Sequence, residues 1–228
     1  MPNSSKIFII IPCYNEHKHI VQVVDKLLHQ SYNIILVDDG SVPALKTVLD
    51  SRPVYYLRHI VNLGQGAALR TGMNFAKKLG ADIIVHFDGD GQHRVSDISK
   101  MIDVIINTDV DIVLGSRFID QENAGKVPPV RKIILKLARI VNWLLTGLWL
   151  SDAHNGFRAM NKKALHKISL RQNRMAHATE ILQHIKKNKL KYKEVSVEIS
   201  YSDSSKEKGQ SNWNVFNILF DLLIRKNL

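Results

Sequence analysis

The stretch IIVHFDGDGQHR, residues 83–94, ends an apolar run with two aspartates that flank a single glycine. A short apolar run that stops at glycines predicts a buried strand. Two carboxylates so close together repel each other, and proteins tolerate this mainly where a cation holds them together. The stretch therefore predicts a strand whose carboxyl end presents Asp88 and Asp90 to a divalent cation.

The same organisation, an apolar strand followed by a polar cluster, recurs along the first half of the chain. Strands are predicted at 6–11, 33–37, 54–58, 81–87 and 110–115, and helical patterns near 16–29, 43–50, 66–79 and 95–107. This alternation predicts a mainly parallel α/β sheet covered by helices on both faces. Parallel strands of this kind bind ligands beyond their carboxyl ends. We therefore expect the clusters PCYNE, DDGS, NLGQGAA, DGDGQH and SRF to meet at one edge of the sheet.

Composition and charge limit the class of protein. The 228 residues carry a formal net charge of +11, which predicts an anionic partner such as nucleic acid, a phosphorylated small molecule or an acidic membrane face. A binder of nucleic acid has no need of Asp88 and Asp90, which would repel the backbone, so we expect no nucleic acid. The single cysteine, Cys13, excludes an internal disulfide. The first apolar run is too short for a signal peptide, and no run reaches the roughly 18–20 apolar residues of a spanning helix.

The second half contains an amphipathic, basic segment at residues 126–150, with tryptophans and leucines crowded at its end. Four basic residues crowd its beginning: Arg131, Lys132, Lys136 and Arg139. Such a segment is typical of a helix that lies in a membrane interface, although an ordinary surface helix also has an apolar stripe. The apolar run at 215–224 either associates with the membrane in the same way or docks onto a small integral membrane protein. Without a linker or repeat, we predict a single domain over residues 1–228.

The acidic and amide groups after the strands each allow two interpretations. Oxygen ligands favour Mg²⁺ or Mn²⁺, and Gln92 adds a neutral oxygen to Asp88 and Asp90, but an isolated pair of aspartates is also typical of a solvated turn. Asp39 would accept hydrogen bonds from a ribose or base, or it belongs to a plain turn. Likewise, PCYNE either ends a strand and caps a helix through Asn15, or it binds a nucleobase through Tyr14 and Glu16.

The segment NLGQGAALRTG, residues 62–72, places Gly64 and Gly66 at the start of a helix. It is a weak match to a dinucleotide-binding fingerprint, because Leu69 stands where the third small residue should be and the segment follows the third strand. The helix N-terminus would still favour a pyrophosphate. Equally, the glycines permit a tight turn and close packing.

Six motifs together resemble those of a known family: PCYNE, VDDGS, NLGQGAALRTG, DGDGQH, GSRF and HNGFRAM. In this order and spacing the chain is similar to inverting glycosyltransferases of the GT-A fold, in the large family 2 that uses nucleotide-diphosphate sugars. The pattern is nearest to the branch of dolichyl-phosphate mannose synthases and polyprenyl-phosphate glycosyltransferases, and it covers about residues 6 to 212.

The resemblance implies a role for each matching residue. It divides the chain into a nucleotide-sugar-binding half, residues 1–118, and an acceptor-binding, membrane-facing half, residues 119–228. The implied nucleotide site comprises Pro12, Tyr14, Glu16, Val37, Asp39, Asp88, Gly89 and Asp90. Asp88, Asp90 and Gln92 would hold Mg²⁺ or Mn²⁺ on the diphosphate. Catalysis would depend on Asp90, Arg117 and Arg131, and the acceptor phosphate would contact Arg117, Arg131, Lys206, Lys208 and Ser211.

The late loop KEKGQS departs from the pattern of the branch at two positions. Lys206 stands where the branch has arginine and Asn212 where it has lysine. A lysine supplies charge without the bidentate fork of arginine, and Lys208 is available to replace the second cation.

The chemistry favours a phosphate acceptor. A sugar hydroxyl needs a general base as it attacks, whereas a lipid monophosphate is already an anion and needs cations. We therefore expect transfer from a nucleotide-diphosphate sugar, with a UDP-sugar favoured, to a polyprenyl phosphate by a cytoplasmic enzyme that is peripheral at the inner face of the cell membrane. The alternative acceptor is a sugar hydroxyl of a cell-surface glycan such as a cell-wall polysaccharide, with Glu180 or Asp152 as the base.

Overall fold

The computed structural model describes residues 5–125, 127, 129–153 and 155–200. The apolar runs form strands β1 (Ile7–Cys13), β2 (Asn33–Asp38), β3 (Tyr55–Arg58), β4 (Ile83–His86), β5 (Ile112–Ser116), β6 (Arg158–Asn161) and β7 (Tyr192–Ser196). The helices are α1 (Ile20–His29), α2 (Lys46–Leu49), α3 (Gln65–Lys78), α4 (Ser96–Asn107), α5 (Gln121–Gly125), α6 (Pro129–Thr146), α7 (Lys162–Lys167) and α8 (His177–Lys187). The strands predicted from the first half of the sequence are thus β1 to β5.

The seven strands form one sheet in the order β3-β2-β1-β4-β6-β5-β7. All neighbouring pairs are parallel except those of β6, which runs antiparallel to both β4 and β5. The strand order reverses at β1, since β2 and β3 extend the sheet to one side and β4 extends it to the other. Ligands bind beyond the carboxyl ends of strands at such a switch point. The prediction of a mainly parallel α/β sheet is confirmed.

Helices cover both faces of the sheet because successive strand residues point to opposite sides. Ile10 of β1 packs with Met73 of α3 in the core on one face. Ile9 packs with Val24 of α1 in the core on the other. Each buried aliphatic side chain contributes about 1.5–3 kcal/mol, so these two cores hold the carboxyl ends of the strands in fixed relative positions.

Helix α6 is shorter than the amphipathic segment predicted at 126–150. It ends at Thr146 because Gly147 adopts a left-handed backbone with φ of +69°, a common helix stop. A Cβ at Gly147 would lie 1.9 Å from Nζ of Lys186 in α8. The end of α6 therefore packs closely against α8.

The outer side of α6 exposes an apolar stripe with helical spacing. Ile133, Leu137, Ile140 and Leu144 are 62%, 57%, 45% and 69% exposed. Beyond the helix, the ring of Trp149 lies under the Arg139 guanidinium at 4.2 Å. Within the described part of the chain, no helix is both long enough and apolar enough to cross a membrane.

Candidate active site

A cleft of about 690 Å³ opens at the switch point, beyond the carboxyl ends of β1 and β4. Five chain segments contribute to its walls: the end of β1 with the loop after it, the residue after β2, the start of α3 with the loop before it, the turn after β4 and the loop before α8. Its lining residues are Pro12, Cys13, Tyr14, Glu16, Asp39, Asn62, Gly64, Gln65, Ala68, Asp88, Gly89, Asp90, Arg174 and Met175. The polar clusters after β1, β2 and β4, and the one before α3, do meet at one edge.

Seven of the eight residues expected at the nucleotide site line this cleft, and Val37 does not. Val37 is fully buried in the same core as Ile35 and Met73. A Cβ at Gly72 of α3 would lie 3.4 Å from a Val37 methyl group. The side chain of Val37 therefore packs against α3 and not in the cleft, and its predicted contact with the nucleotide stays a prediction.

The carboxylate of Asp39 fixes the segment that leads into α3. Its Oδ1 accepts a hydrogen bond from the Leu63 amide at 3.0 Å and lies 2.6 Å from Nδ1 of His59, and its Oδ2 accepts one from the Gly64 amide at 2.7 Å. His59 is held in turn by the hydroxyl of Thr71. A carboxylate offers about four acceptor positions, so Asp39 retains roughly one for a donor in the cleft.

The glycines before α3 allow the loop that precedes α8 to approach. A Cβ on Gly64 would lie 2.5 Å from the carbonyl oxygen of Asn173, and one on Gly66 would lie 2.1 Å from that of Gln172. The Ala67 amide donates to Asn173 at 3.0 Å. The close-packing interpretation of this motif is therefore the one the contacts favour, since several amides that a pyrophosphate would use are already donated within the protein.

Asp88 and Asp90 are held in different ways. Asp88 accepts a hydrogen bond from Nε2 of Gln65 at 2.9 Å on one oxygen and lies 3.2 Å from Nε2 of His93 on the other. Burial raises the pKa of Asp88, but the hydrogen bond and charge of His93 outweigh it, so the pKa is lowered. Asp90 accepts only the Gln92 amide among the hydrogen bonds described, and its pKa is raised by burial and by the charge of Asp88. Asp88 is thus oriented by two side chains, and Asp90 has a spare oxygen.

The donor set fits a divalent cation that completes its coordination with substrate oxygens. Among residues 5–125, 127, 129–153 and 155–200, no group of three His, Cys, Asp or Glu side chains forms a metal cluster. Mg²⁺ is commonly held by one or two carboxylates together with phosphates and water, which Asp88 and Asp90 can supply. Gln92 lies on the same turn, and its predicted role as a ligand stays a prediction.

Arg117 has a different environment from the one expected. Its guanidinium binds Asp152 through Nε at 2.5 Å and through Nη2 at 2.7 Å, and its amide donates to the same carboxylate. The two side chains are 5% and 1% exposed. In the described chain the pair is not part of the cleft lining. Arg117 therefore neutralises a buried carboxylate, and Asp152 is occupied as an acceptor.

Glu180, the other candidate base, anchors the loop that precedes α8. Its carboxylate accepts hydrogen bonds from the amides of Arg171 and Gln172 at 2.8–3.0 Å. It borders a second groove of about 310 Å³, with Arg171 and His184, outside the cleft. On the α8 side the described cleft lining is Arg174 and Met175, with no carboxylate.

Several residues of the site were not expected from the sequence, chiefly Gln65, Arg174 and Met175 of the cleft lining, and His93, which contacts Asp88. Gln65 lies in the motif NLGQG and His93 in DGDGQH, so the sequence already marked both segments as candidates for the site. Arg174 belongs to no motif and reaches the cleft only through tertiary packing. Of the other residues expected at the acceptor phosphate, Arg131 lies in α6, and Lys206, Lys208 and Ser211 lie outside the described residues.

Comparison with solved structures agrees with this architecture. The chain aligns with glucosyl-3-phosphoglycerate synthase from Mycobacterium tuberculosis, determined with Mn²⁺, uridine diphosphate and phosphoglyceric acid, at a TM-score of 0.66 and 15% identity. The match covers 91% of this chain and 75% of that one. The sheet order and the cleft at its switch point thus define the GT-A fold.

The family follows from the sequence comparison. Residues 8–169 match the glycosyl transferase family 2 model. The chain is 36% identical over 240 residues to UDP-N-acetylglucosamine--dolichyl-phosphate N-acetylglucosaminyltransferase from Methanococcus voltae, with 96% of each covered. It is 27% identical over 175 residues to polyprenol monophosphomannose synthase from Mycolicibacterium smegmatis, covering 73% of this chain and 66% of that protein. The chain belongs to glycosyl transferase family 2, and the resemblance to its polyprenyl-phosphate branch is confirmed.

Proposed function

We propose that the protein transfers a sugar from a nucleotide-diphosphate sugar to a polyprenyl phosphate, in an inverting reaction that depends on a divalent metal and needs no general base. One observation carries the choice of acceptor. Glu180 and Asp152, the two candidate bases, are both engaged within the protein. An anionic phosphate acceptor does not require a base, whereas a hydroxyl acceptor does.

The donor is a UDP-sugar in this proposal. Two relatives support that preference by their names or bound ligand, namely the UDP-N-acetylglucosamine-dependent enzyme and the synthase with bound uridine diphosphate. Tyr14, which is 48% exposed at the cleft, offers a ring for stacking on the base. Asp39 accepts a hydrogen bond from the nucleoside at its remaining position. Pro12 and Glu16 complete this part of the wall.

Asp88 and Asp90 hold the metal, Mg²⁺ or Mn²⁺, at the diphosphate. When bound, the cation acts as a Lewis acid that stabilises the charge of the departing nucleotide diphosphate. Gln65 and His93 keep the Asp88 carboxylate facing the cleft. The Asp90 oxygen that accepts no hydrogen bond among those described would be the second carboxylate ligand.

The acceptor approaches from the side of α6 in this proposal. Arg131, Lys206, Lys208 and Ser211 are the groups we assign to its phosphate. The chain leaves the described region beside the metal turn, since the Ser200 amide donates to the Gln92 carbonyl at 2.9 Å. That contact supports the assignment of the late loop.

The apolar stripe of α6 lies in the membrane interface of the cytoplasmic leaflet in this proposal. Residues 133, 137, 140 and 144 form one exposed face, and basic residues at 132, 136 and 139 flank it. Each basic residue near an anionic leaflet contributes about 1 kcal/mol, which together with the apolar face retains the enzyme beside its lipid acceptor. We expect the run 215–224, outside the described residues, to add a membrane or membrane-protein contact.

The experiment is transfer of radiolabelled sugar from a panel of UDP- and GDP-sugars to undecaprenyl phosphate, with Mg²⁺, Mn²⁺ or EDTA. We expect an organic-extractable product that requires metal. Asp90→Ala should abolish transfer while the circular dichroism spectrum stays that of the wild type. Asp103→Ala, an exposed aspartate on α4, is the matched control and should retain full activity.

Two results would count against the proposal. Turnover by folded Asp90→Ala would remove the metal assignment. Transfer to an oligosaccharide in place of the lipid phosphate would assign the hydroxyl acceptor instead.

A further inference from the structure

The charge lining the cleft is opposite in sign to that of the chain as a whole. The chain carries +11, whereas the described cleft lining has four carboxylates, from Glu16, Asp39, Asp88 and Asp90, and one guanidinium, from Arg174. A diphosphate or lipid phosphate that enters such a cleft is repelled unless cations compensate. A bound divalent cation would compensate the pair after β4, and Arg174 is the cation that the described lining itself supplies.

The backbone that carries Arg174 is fixed from both sides. The Asn173 carbonyl accepts the Ala67 amide at 3.0 Å, next to the tight contacts at the glycines before α3. The Arg174 carbonyl accepts Nδ1–H of His177 at 2.7 Å. Glu180 holds the first two amides of the loop. A loop backbone that is fixed by several hydrogen bonds holds its side chain ready for a ligand, as in a preorganised binding site.

The side chain of Arg174 is exposed and faces the cleft. Its Cγ would lie 2.9 Å from a Cβ on Gly64, so its stem runs against the start of α3. In the described part of the chain no carboxylate forms an ion pair with its guanidinium. An arginine fork matches the geometry of phosphate oxygens.

We infer that Arg174 binds phosphate oxygens of the substrates in this cleft, either of the donor diphosphate or of the acceptor monophosphate. The inference rests on the proposed function, since it takes the ligands of the cleft to be phosphates. It adds a residue that lies outside all six family motifs.

The experiment compares wild type with Arg174→Ala, Arg174→Lys and the matched control Arg171→Ala, an exposed arginine of the same loop that borders the second groove. Calorimetry with Mn²⁺ measures binding of UDP, GDP, uridine and guanosine. Steady-state transfer measures KM for undecaprenyl phosphate. For Arg174→Ala, loss of a charge-assisted hydrogen bond predicts a roughly 10- to 100-fold weaker nucleoside-diphosphate affinity or a similarly raised lipid KM, whichever phosphate the arginine binds. We expect partial recovery in Arg174→Lys and no change in Arg171→Ala.

The arms separate the two phosphates. Weaker binding of the nucleoside diphosphate, with unchanged nucleoside binding, assigns the donor, and a raised KM for the lipid at unchanged diphosphate affinity assigns the acceptor. If the variant matches wild type in both arms, or if nucleoside binding falls equally, the inference is overturned. If wild type binds neither diphosphate, the proposed function itself fails, and that result is distinct from the others.

Discussion

Replacing Arg117 with alanine distinguishes a structural role of this residue from the catalytic role expected from its motif. The guanidinium lies 2.5 and 2.7 Å from the Asp152 carboxylate, with both side chains almost completely buried. Removing one partner of a buried ion pair leaves an uncompensated charge and costs about 3–5 kcal/mol. A chain of this size loses about 2–4 °C in Tm per kcal/mol, so we expect a fall of roughly 6–20 °C.

The double variant Arg117→Met with Asp152→Leu provides the control. It removes both charges and fills the volume with apolar atoms, an exchange that is often neutral for buried pairs. Thermal and urea unfolding of the wild type, both single variants and the double variant form a cycle that gives the coupling free energy. We expect the double variant to recover most of the lost stability.

Transfer measured on these four proteins and on Arg117→Ala decides between the two roles. If Arg117→Ala melts at the temperature of the wild type but transfers almost no sugar, the guanidinium serves the substrate and the buried pair is not its main partner. If stability falls and the double variant restores both stability and transfer, Arg117 acts through the packing of Asp152.

Three further variants test the fold around the site. Gly66→Ala should lower the free energy of unfolding by about 1–3 kcal/mol through overpacking and reduce transfer, because the new Cβ would lie 2.1 Å from a carbonyl oxygen of the loop before α8. Gly125→Ala is the control, since a Cβ there has no atom within 4 Å. Thermal melts and transfer assays should show no change for this control. Burial raises the pKa of Asp38, but hydrogen bonds from a serine, a tyrosine hydroxyl and two amides outweigh it, so the folded pKa is lowered. The stabilisation of the folded state by ionised Asp38 is therefore complete above its unfolded pKa of about 3.9. It is lost as the pH falls through the folded pKa. Urea titrations should show the gap between wild type and Asp38→Asn shrinking below about pH 4, and a constant gap would contradict this. Leu137→Asp should reduce the fraction of protein that sediments with anionic vesicles without changing the melting temperature. Ile106→Asp, at a similarly exposed position on α4, is the control and should bind vesicles like the wild type. If the two variants bind vesicles equally well, that result would count against the α6 interface.

The strands and their common edge could be predicted from the sequence because the apolar runs are short and each ends in a polar cluster. The predicted runs 6–11 and 33–37 correspond to Ile7–Cys13 and Asn33–Asp38 in the structure. The direction of β6 could not be predicted, since hydrophobic pattern does not encode whether a strand runs parallel to its neighbours. That direction depends on pairing with β4 and β5, which lie far away in the chain.

Some residues of the candidate site could likewise be predicted from the sequence, and others could not. Residues that directly follow a strand, such as Asp88 and Asp90, could be placed at the cleft because topology fixes where strands end. Val37 comes earlier, inside β2, and its side chain is packed in the same core as Ile35. Arg174 was missed because its position depends on a close approach between two loops about a hundred residues apart.

That close approach also sets a rule for engineering the donor site. The start of α3 and the loop before α8 share a backbone hydrogen bond and contacts that only glycine permits at positions 64 and 66. Asp39 ties the same start of α3 to the end of β2. A chimaera that takes only one of these segments from a relative would contain two segments that do not fit each other at this contact. Residues 62–67 and 171–176 should therefore be exchanged together as a single cassette.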